Sequence, residues 1–427
     1  KIQYKMLHSI IYSAFTNKYP DALGIRRTID DLNEAREGKL LTTNLDYFRN
    51  IFVIVRHLSL RLVAGNIDEL FESQRIHGKL QDSIPESVRF PCDMTQARSA
   101  QPPNSVHRVR PGDVDIIASM GDSLSAGNGI LSESITHILN EHRGISFAGG
   151  GLDTWRHFLT LPNILKVFNP QLYGYSTANE LTVDESSHLN IAEPMIMSRD
   201  LPFQVRTFID RMERDSNIDL QLHWKLLTIF VGNNDICSDM CHHESKEEFL
   251  QRHELDLREA LTMLRDNVPR LIVNLVPVPN MVSTVYTMRN IPLICKAVHL
   301  IGCHCVFSER IKGEKLRATA NIIERWQTIE EYIAALKEFQ TEDFTVIFQP
   351  FTANVSISTL PNGDTDLRNF SSDCFHFSQR GHAIMANMLW NNMMQPMNAK
   401  KSDGEMILPF EEFLCPTAEQ YRPKRVF

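Results

Sequence analysis

The chain has 427 residues, with 44 Lys plus Arg against 52 Asp plus Glu and a formal net charge of −8. At 43% hydrophobic and 22% charged residues, the composition is globular, which excludes a fibre or wholesale disorder. The charge balance supplies no basic face for a nucleic-acid partner. No apolar run approaches the roughly 18 residues that span a bilayer; residues 51–55 are broken at once by Arg56 and His57.

In chain order, Lys1 stands where a start Met would be, so a signal peptide removed upstream is expected; residues 6–15 are too short and polar to be its apolar core. Residues 1–89 form an N-terminal extension with helix-period stretches such as 44–62, expected to be helical or partly disordered. Residues 90–111, rich in Pro, Ser, Arg and Gln, read as a linker. Strands and helices then alternate through residues 112–400. A strand at 114–120 precedes a helix at 201–215, which sets Phe203, Val205, Phe208, Ile209 and Met212 near one face. A strand at 226–231, a helix at 247–268 stopped by Pro269, and a strand at 271–278 follow. A helix at 314–339, a strand at 344–351 and a closing helix at 382–394 complete the series. This alternation predicts an α/β domain with a parallel sheet covered by helices on both faces. Residues 401–427 are a short tail that Cys415 could tether.

The eight cysteines, Cys92, Cys237, Cys241, Cys295, Cys303, Cys305, Cys374 and Cys415, fit four disulfides. Asn354-Val355-Ser356 and Asn369-Phe370-Ser371 are glycosylation acceptors. Both signals predict an oxidising, secretory route and an extracellular protein.

Four segments carry chemistry. The strand at 114–120 runs into Gly121-Asp122-Ser123-Leu124, and open α/β sheets bind ligands at the carboxyl ends of their strands. A Ser there can serve as a nucleophile if a base and an anion pocket are near, or simply as a helix cap. Asp373-Cys374-Phe375-His376 offers the base: an Asp three residues before a His can reach Nδ1 and leave Nε2 free, although the same spacing occurs in surface turns. Gly232-Asn233-Asn234-Asp235 follows the second strand, so Asn234 reads as an oxyanion donor or a turn residue. Gly149-Gly150-Gly151 offers unshielded amides or a flexible loop; no Lys follows to make it a phosphate cradle.

Ser, Gly, Asn and Asp-x-x-His in this order resemble the SGNH (GDSL) hydrolase superfamily, and no G-x-S-x-G elbow of the ordinary α/β-hydrolases is present. The segment from Met120 to Gly129, with Leu161-Pro162-Asn163, Asp364-Thr365-Asp366-Leu367, Asp373 to Ser378, Gly381-His382 and Leu389-Trp390-Asn391-Asn392, is similar to animal phospholipase B of the GDSL type over roughly residues 90–420. The resemblance implies a three-layer α/β/α, flavodoxin-like domain and hydrolysis of fatty-acyl esters in phospholipids and lysophospholipids. It implies no cofactor and no metal. Ser123 is then the nucleophile, His376 the base and Asp373 its orienting partner, with the Ser123 amide, Gly151 and Asn234 as the oxyanion hole. Two departures stand out: Asn233 replaces the second Gly of the family's Gly-Gly-Asn-Asp, and Leu152 follows the glycines where an acidic residue is usual, leaving Gly150 as the alternative to Gly151.

Cys237-x3-Cys241-His242-His243 and Cys303-His304-Cys305 have spacings a zinc site could use; the even count and the resemblance favour disulfides. The leading expectation is a secreted serine esterase whose partners are a phospholipid substrate and, transiently, a membrane or micelle surface, with no obligate protein partner. The alternatives are a same-fold esterase acting on acetylated carbohydrate or other small esters, and a catalytically inactive lipid-binding homologue.

Overall fold

The computed structural model describes Arg56, residues 66–308 and residues 312–417. Apart from Arg56, the helix expected at 44–62 lies outside the described residues. Helix α1, Ile67–Ile76, is capped by the Asn66 side chain, which accepts from the Asp68 amide.

Four strands form the sheet among the described residues: β1 Val114–Gly121, β2 Trp224–Phe230, β3 Leu271–Val276 and β4 Phe344–Phe348. All pair in parallel in the order β1-β2-β3-β4. The outer edge of β1 is covered by an irregular segment that follows it in sequence, through parallel bridges Ile116↔Tyr173 and Ser119↔Asn190. The chain therefore passes from β1 to one side and returns to pair β2 on the other, so the carboxyl end of β1 stands where the winding reverses. Open sheets form their binding crevices at such a point.

Burial follows the period of two expected of strands once β1 is past the register shift between Val114 and Ile116. Val114, Ile117, Leu226, Ile272 and Val276 face one core, and Ile116, Ala118, Leu227, Leu271 and Val273 face the other. Helices α3 (Leu161–Phe168) and α10 (Gln379–Met394) pack on the first face. Helices α4 (Leu201–Arg214), α5 (Lys246–Asn267) and the end of α9 (Glu314–Ala334) pack on the second. The result is the three-layer α/β/α arrangement expected, with the ends of the expected elements within three residues of the sequence reading except at the carboxyl end of α9, which stops at Ala334.

One expectation about the flanks changes. Residues 90–111 are not a spacer. Phe90 packs edge-on against Trp155, Phe168 and Phe413, Val106 is buried, and the Trp224 indole donates to the Pro103 carbonyl. Composition could not show this, because it is tertiary contact that orders an otherwise polar segment. The tail is tethered as expected, by Cys92–Cys415. Asn369 is also corrected as a glycosylation acceptor: it is buried and its amide donates to Ser358 Oγ at 3.3 Å, whereas Asn354 is exposed.

Candidate active site

Strand β1 delivers its last residue, Gly121, into a turn that only glycine accommodates: φ is +135°, and a Cβ would lie 2.0 Å from the Phe230 carbonyl oxygen. Asp122 then caps the short helix α2, Ser123–Ala126, its Oδ1 accepting from the Leu124 amide at 3.0 Å. Ser123 is the first residue of α2, so its own amide has no partner within the helix.

The Ser123 hydroxyl lies 2.8 Å from His376 Nε2, and His376 Nδ1 lies 2.6 Å from Asp373 Oδ2. The other Asp373 oxygen accepts from the amides of Phe375 and His376, both at 3.0 Å. These bonds make Nδ1 the protonated nitrogen and leave the Nε2 lone pair for the hydroxyl. Burial raises the Asp373 carboxyl, but His376 and the two amides hold it below the ordinary aspartate value. Burial likewise pulls the His376 imidazole down; the Asp373 charge and hydrogen bond, helped by Asp122, hold it above 6.5. His382 is no rival base: its Nδ1 accepts from the Phe147 amide, and burial drives it down to about 3.

Asn233 and Asn234, adjacent in sequence, have different partners. Asn233 is buried and donates to Asp122 Oδ2 at 2.9 Å. Burial pushes the Asp122 carboxyl up to about 6 against this bond and that of Leu124. Asn234 is partly exposed; one N–H of its amide donates to the Ile196 carbonyl at 2.9 Å, which fixes the rotamer and leaves a second N–H. Gly232 has φ +111°, and a Cβ there would press on Val278 and the Trp326 indole.

Gly151 does not offer the open amide expected of it. Its N–H donates to the Ser176 carbonyl at 2.8 Å, and that of Gly150 donates to the Ser146 carbonyl at 2.9 Å. One amide is consumed where the loop zips against residue 176 and the other within the loop itself. Gly149 is the glycine of the loop whose N–H has no partner among the described residues; its Cα faces the Asn190 side chain, which in turn donates to the Ser125 carbonyl. Gly149 thus replaces Gly151 as the candidate.

All eight cysteines are paired, as Cys92–Cys415, Cys237–Cys303, Cys241–Cys305 and Cys295–Cys374. The zinc alternative loses its thiols: Cys241 and Cys305 are joined, and His242 and His304 meet through their Nε2 atoms at 2.8 Å. Cys295–Cys374 ties the catalytic loop to helix α7, Leu293–Gly302.

Sequence reasoning missed a buried ion cluster beneath the turn. Glu141 and Arg143 pair with each other, and Arg56, from the N-terminal extension, places Nε 2.8 Å from Glu141 and Nη1 2.8 Å from Glu193. The Glu193 amide donates to the Gly121 carbonyl, and Asn128 is bridged to Glu141. Both acidic residues are therefore fastened through their backbones to the ends of the segment that presents Ser123. Long-range pairs of this kind leave no local sequence signal.

A family model described as GDSL-like Lipase/Acylhydrolase matches residues 117–389. Among curated proteins the chain is 35% identical over 331 residues to "Phospholipase B1, membrane-associated" of Homo sapiens, covering 77% of this chain and 22% of that protein. The proteins of the same name from Rattus norvegicus and Mus musculus are 32% and 34% identical, over 76% and 75% of this chain and 22% and 21% of their own length. The chain thus spans about a fifth of the length of the curated relatives it matches. With a Ser–His–Asp relay at the carboxyl end of β1 and a family match that runs from within β1 to within α10, the chain belongs to the GDSL-like lipase/acylhydrolase family.

Proposed function

We propose that the chain is a secreted carboxylic ester hydrolase that cleaves fatty-acyl esters of phospholipids and lysophospholipids. The observation that carries this reading is the unbroken relay from Asp373 through His376 to Ser123, in a chain similar to proteins named membrane-associated phospholipases. Ser123 Oγ attacks the ester carbonyl while His376 Nε2 takes the hydroxyl proton. Asp373 holds the imidazole in position and stabilises its charged form. The tetrahedral oxyanion is assigned to three donors that have no other partner among the described residues, the Ser123 amide, the second N–H of Asn234 and the amide of Gly149, since such donors act where charge develops. Collapse expels the alcohol, the lysophospholipid or glycerophospho moiety, which takes the proton back from His376. A water, deprotonated by the same imidazole, then releases the fatty acid from the acyl-enzyme. No cofactor enters this sequence. Four disulfides support the secretory reading, and exposed Asn354 is its candidate glycosylation site.

Fluorophosphonate labelling tests the nucleophile: the label should fall on Ser123 and vanish in Ser123→Ala. A panel of phosphatidylcholine, lysophosphatidylcholine and acetylated sugars tests the substrate. Fatty-acid release from the first two is expected, and turnover of acetyl esters alone would overturn the lipid assignment.

A further inference from the structure

Helix α7 has its amphipathic pattern turned outward. Leu293 and Ile301 are 82% and 80% exposed, and Ile294 and Leu300 are 50% and 44% exposed. With exposed Ala297 they fall within a roughly 120° arc at 100° per residue. A helix of a water-soluble domain places such an arc against the core. Here the opposite face is the anchored one. Cys295 is bonded to Cys374, and buried His299 lies 3.2 Å from the Cys374 carbonyl through Nε2. Just beyond the helix, Cys303 and Cys305 are bonded to Cys237 and Cys241. A helix whose apolar side meets water gains little from burial, and three covalent links hold this segment in place instead.

The charge pattern supplies the partner. In a chain of net charge −8, no Asp or Glu occurs from Asn267 to Ser308. Arg289 and Lys296 are exposed there, and Lys296 sits at the edge of the apolar arc. Tyr286, at 61% exposure on the preceding helix α6 (Met281–Thr287), adds an aromatic ring with a polar tip. Apolar side chains flanked by cations and an exposed Tyr, with Asp364 at the margin engaged by the Asn290 side chain, match a lipid–water interface, where acyl chains meet headgroup phosphates. The inner face of α7 touches the loop that carries His376, so the stripe stands about one helix diameter, roughly 10–12 Å, from that loop.

We propose that the outer face of α7, centred on Leu293, Ile294, Leu300 and Ile301, is the surface by which the enzyme docks on phospholipid aggregates, with Lys296 and Arg289 at the headgroups. This inference rests on the lipid-ester reading above and adds to it where the aggregate is held: Cys295–Cys374 makes the docking helix and the catalytic loop one rigid piece.

The test uses the full chain and vesicles of phosphatidylcholine containing phosphatidylglycerol. Leu293→Asp/Ile301→Asp alters two solvent-facing side chains. In a Ser123→Ala background it should weaken vesicle binding by about 10- to 100-fold. In the active enzyme it should slow hydrolysis of vesicles while leaving the rate on a water-soluble p-nitrophenyl ester within about two-fold. Vesicle binding equal to that of the unsubstituted face would overturn the proposal. Ile301→Trp gives a readout that needs no loss of function: the added indole's fluorescence should be quenched by brominated lipid beyond the level of the native tryptophans, and an added indole that brominated lipid leaves unquenched would also overturn it. Sedimentation in the absence of lipid covers the rival occupant; a dimer dissolved by Leu293→Asp/Ile301→Asp would assign the face to a second copy of the chain and overturn the proposal. Hydrolysis of a short-chain phosphatidylcholine kept below its micelle concentration judges the lipid-ester reading separately, since monomers need no docking face.

Discussion

Replacing Arg56 by Met should destabilise the fold in a manner that depends on pH. Arg56, Glu141 and Arg143 are buried and Glu193 nearly so, giving two cations against two carboxylates. Met keeps much of the apolar stem and removes the charge. Arg143 is then the one guanidinium left to balance Glu141 and Glu193 among the described residues, and an uncompensated buried charge costs about 3–5 kcal/mol. The fold has a milder escape, which is to protonate one Glu. From the ordinary value of 4.5, that costs about 1.36 kcal/mol for each pH unit above it, hence about 3.4 kcal/mol at pH 7 and about 0.7 kcal/mol at pH 5. The sign follows from linkage: the variant's folded state binds a proton that its unfolded state lacks, so its stability falls as pH rises above the unfolded value. Urea unfolding of both proteins between pH 5 and 8 should show the gap widening with pH, and Glu193→Gln in the Arg56→Met background should recover much of it. A gap of equal size at pH 5 and pH 8, or one under about 1 kcal/mol at pH 8, would refute the reasoning.

Ser123→Ala should abolish turnover with urea stability nearly unchanged, and a variant that keeps most of its kcat would remove Ser123 from the mechanism. Because Asp373 holds the His376 imidazole above 6.5, the base is neutral only at higher pH. The profile of kcat/KM should therefore fall as pH drops through a value above 6.5, and a limb centred well below that would contradict the pairing. Asn234→Ala should lower kcat about 10²- to 10³-fold with KM little changed. Asn233→Gly should instead cost about 1–3 kcal/mol of stability, since it strips a donor from buried Asp122; a reversed pattern in kinetics and unfolding would exchange their roles. Removal of Cys92–Cys415, which closes the chain across 323 residues, should cost about 2–5 kcal/mol by urea unfolding while Ser123 still labels. Chelation should leave activity intact, and a loss restored by zinc would reopen the metal reading.

The strands, the four longest helices and the relay residues were legible in the sequence because their causes are local. A period of two or 3.6, a Pro two residues past a helix that ends at Asn267, and a Gly-rich turn after a strand are each set by neighbours a few residues away. The spacing of Asp373 and His376 is local too, since both sit on one loop. Tertiary structure decided whatever depends on partners far along the chain. It gave Asn233 to Asp122 and Asn234 to Ile196, although the two amides are chemically identical. It engaged the Gly151 amide with Ser176, outside the glycine loop, which no Gly-rich motif reveals. It buried Asn369 inside an intact glycosylation tripeptide, and it brought Arg56 to carboxylates 85 and 137 residues later. Hydrophobic period and turn chemistry fix which element forms, whereas the choice among equivalent donors and charges is made by distances that exist only after the elements pack.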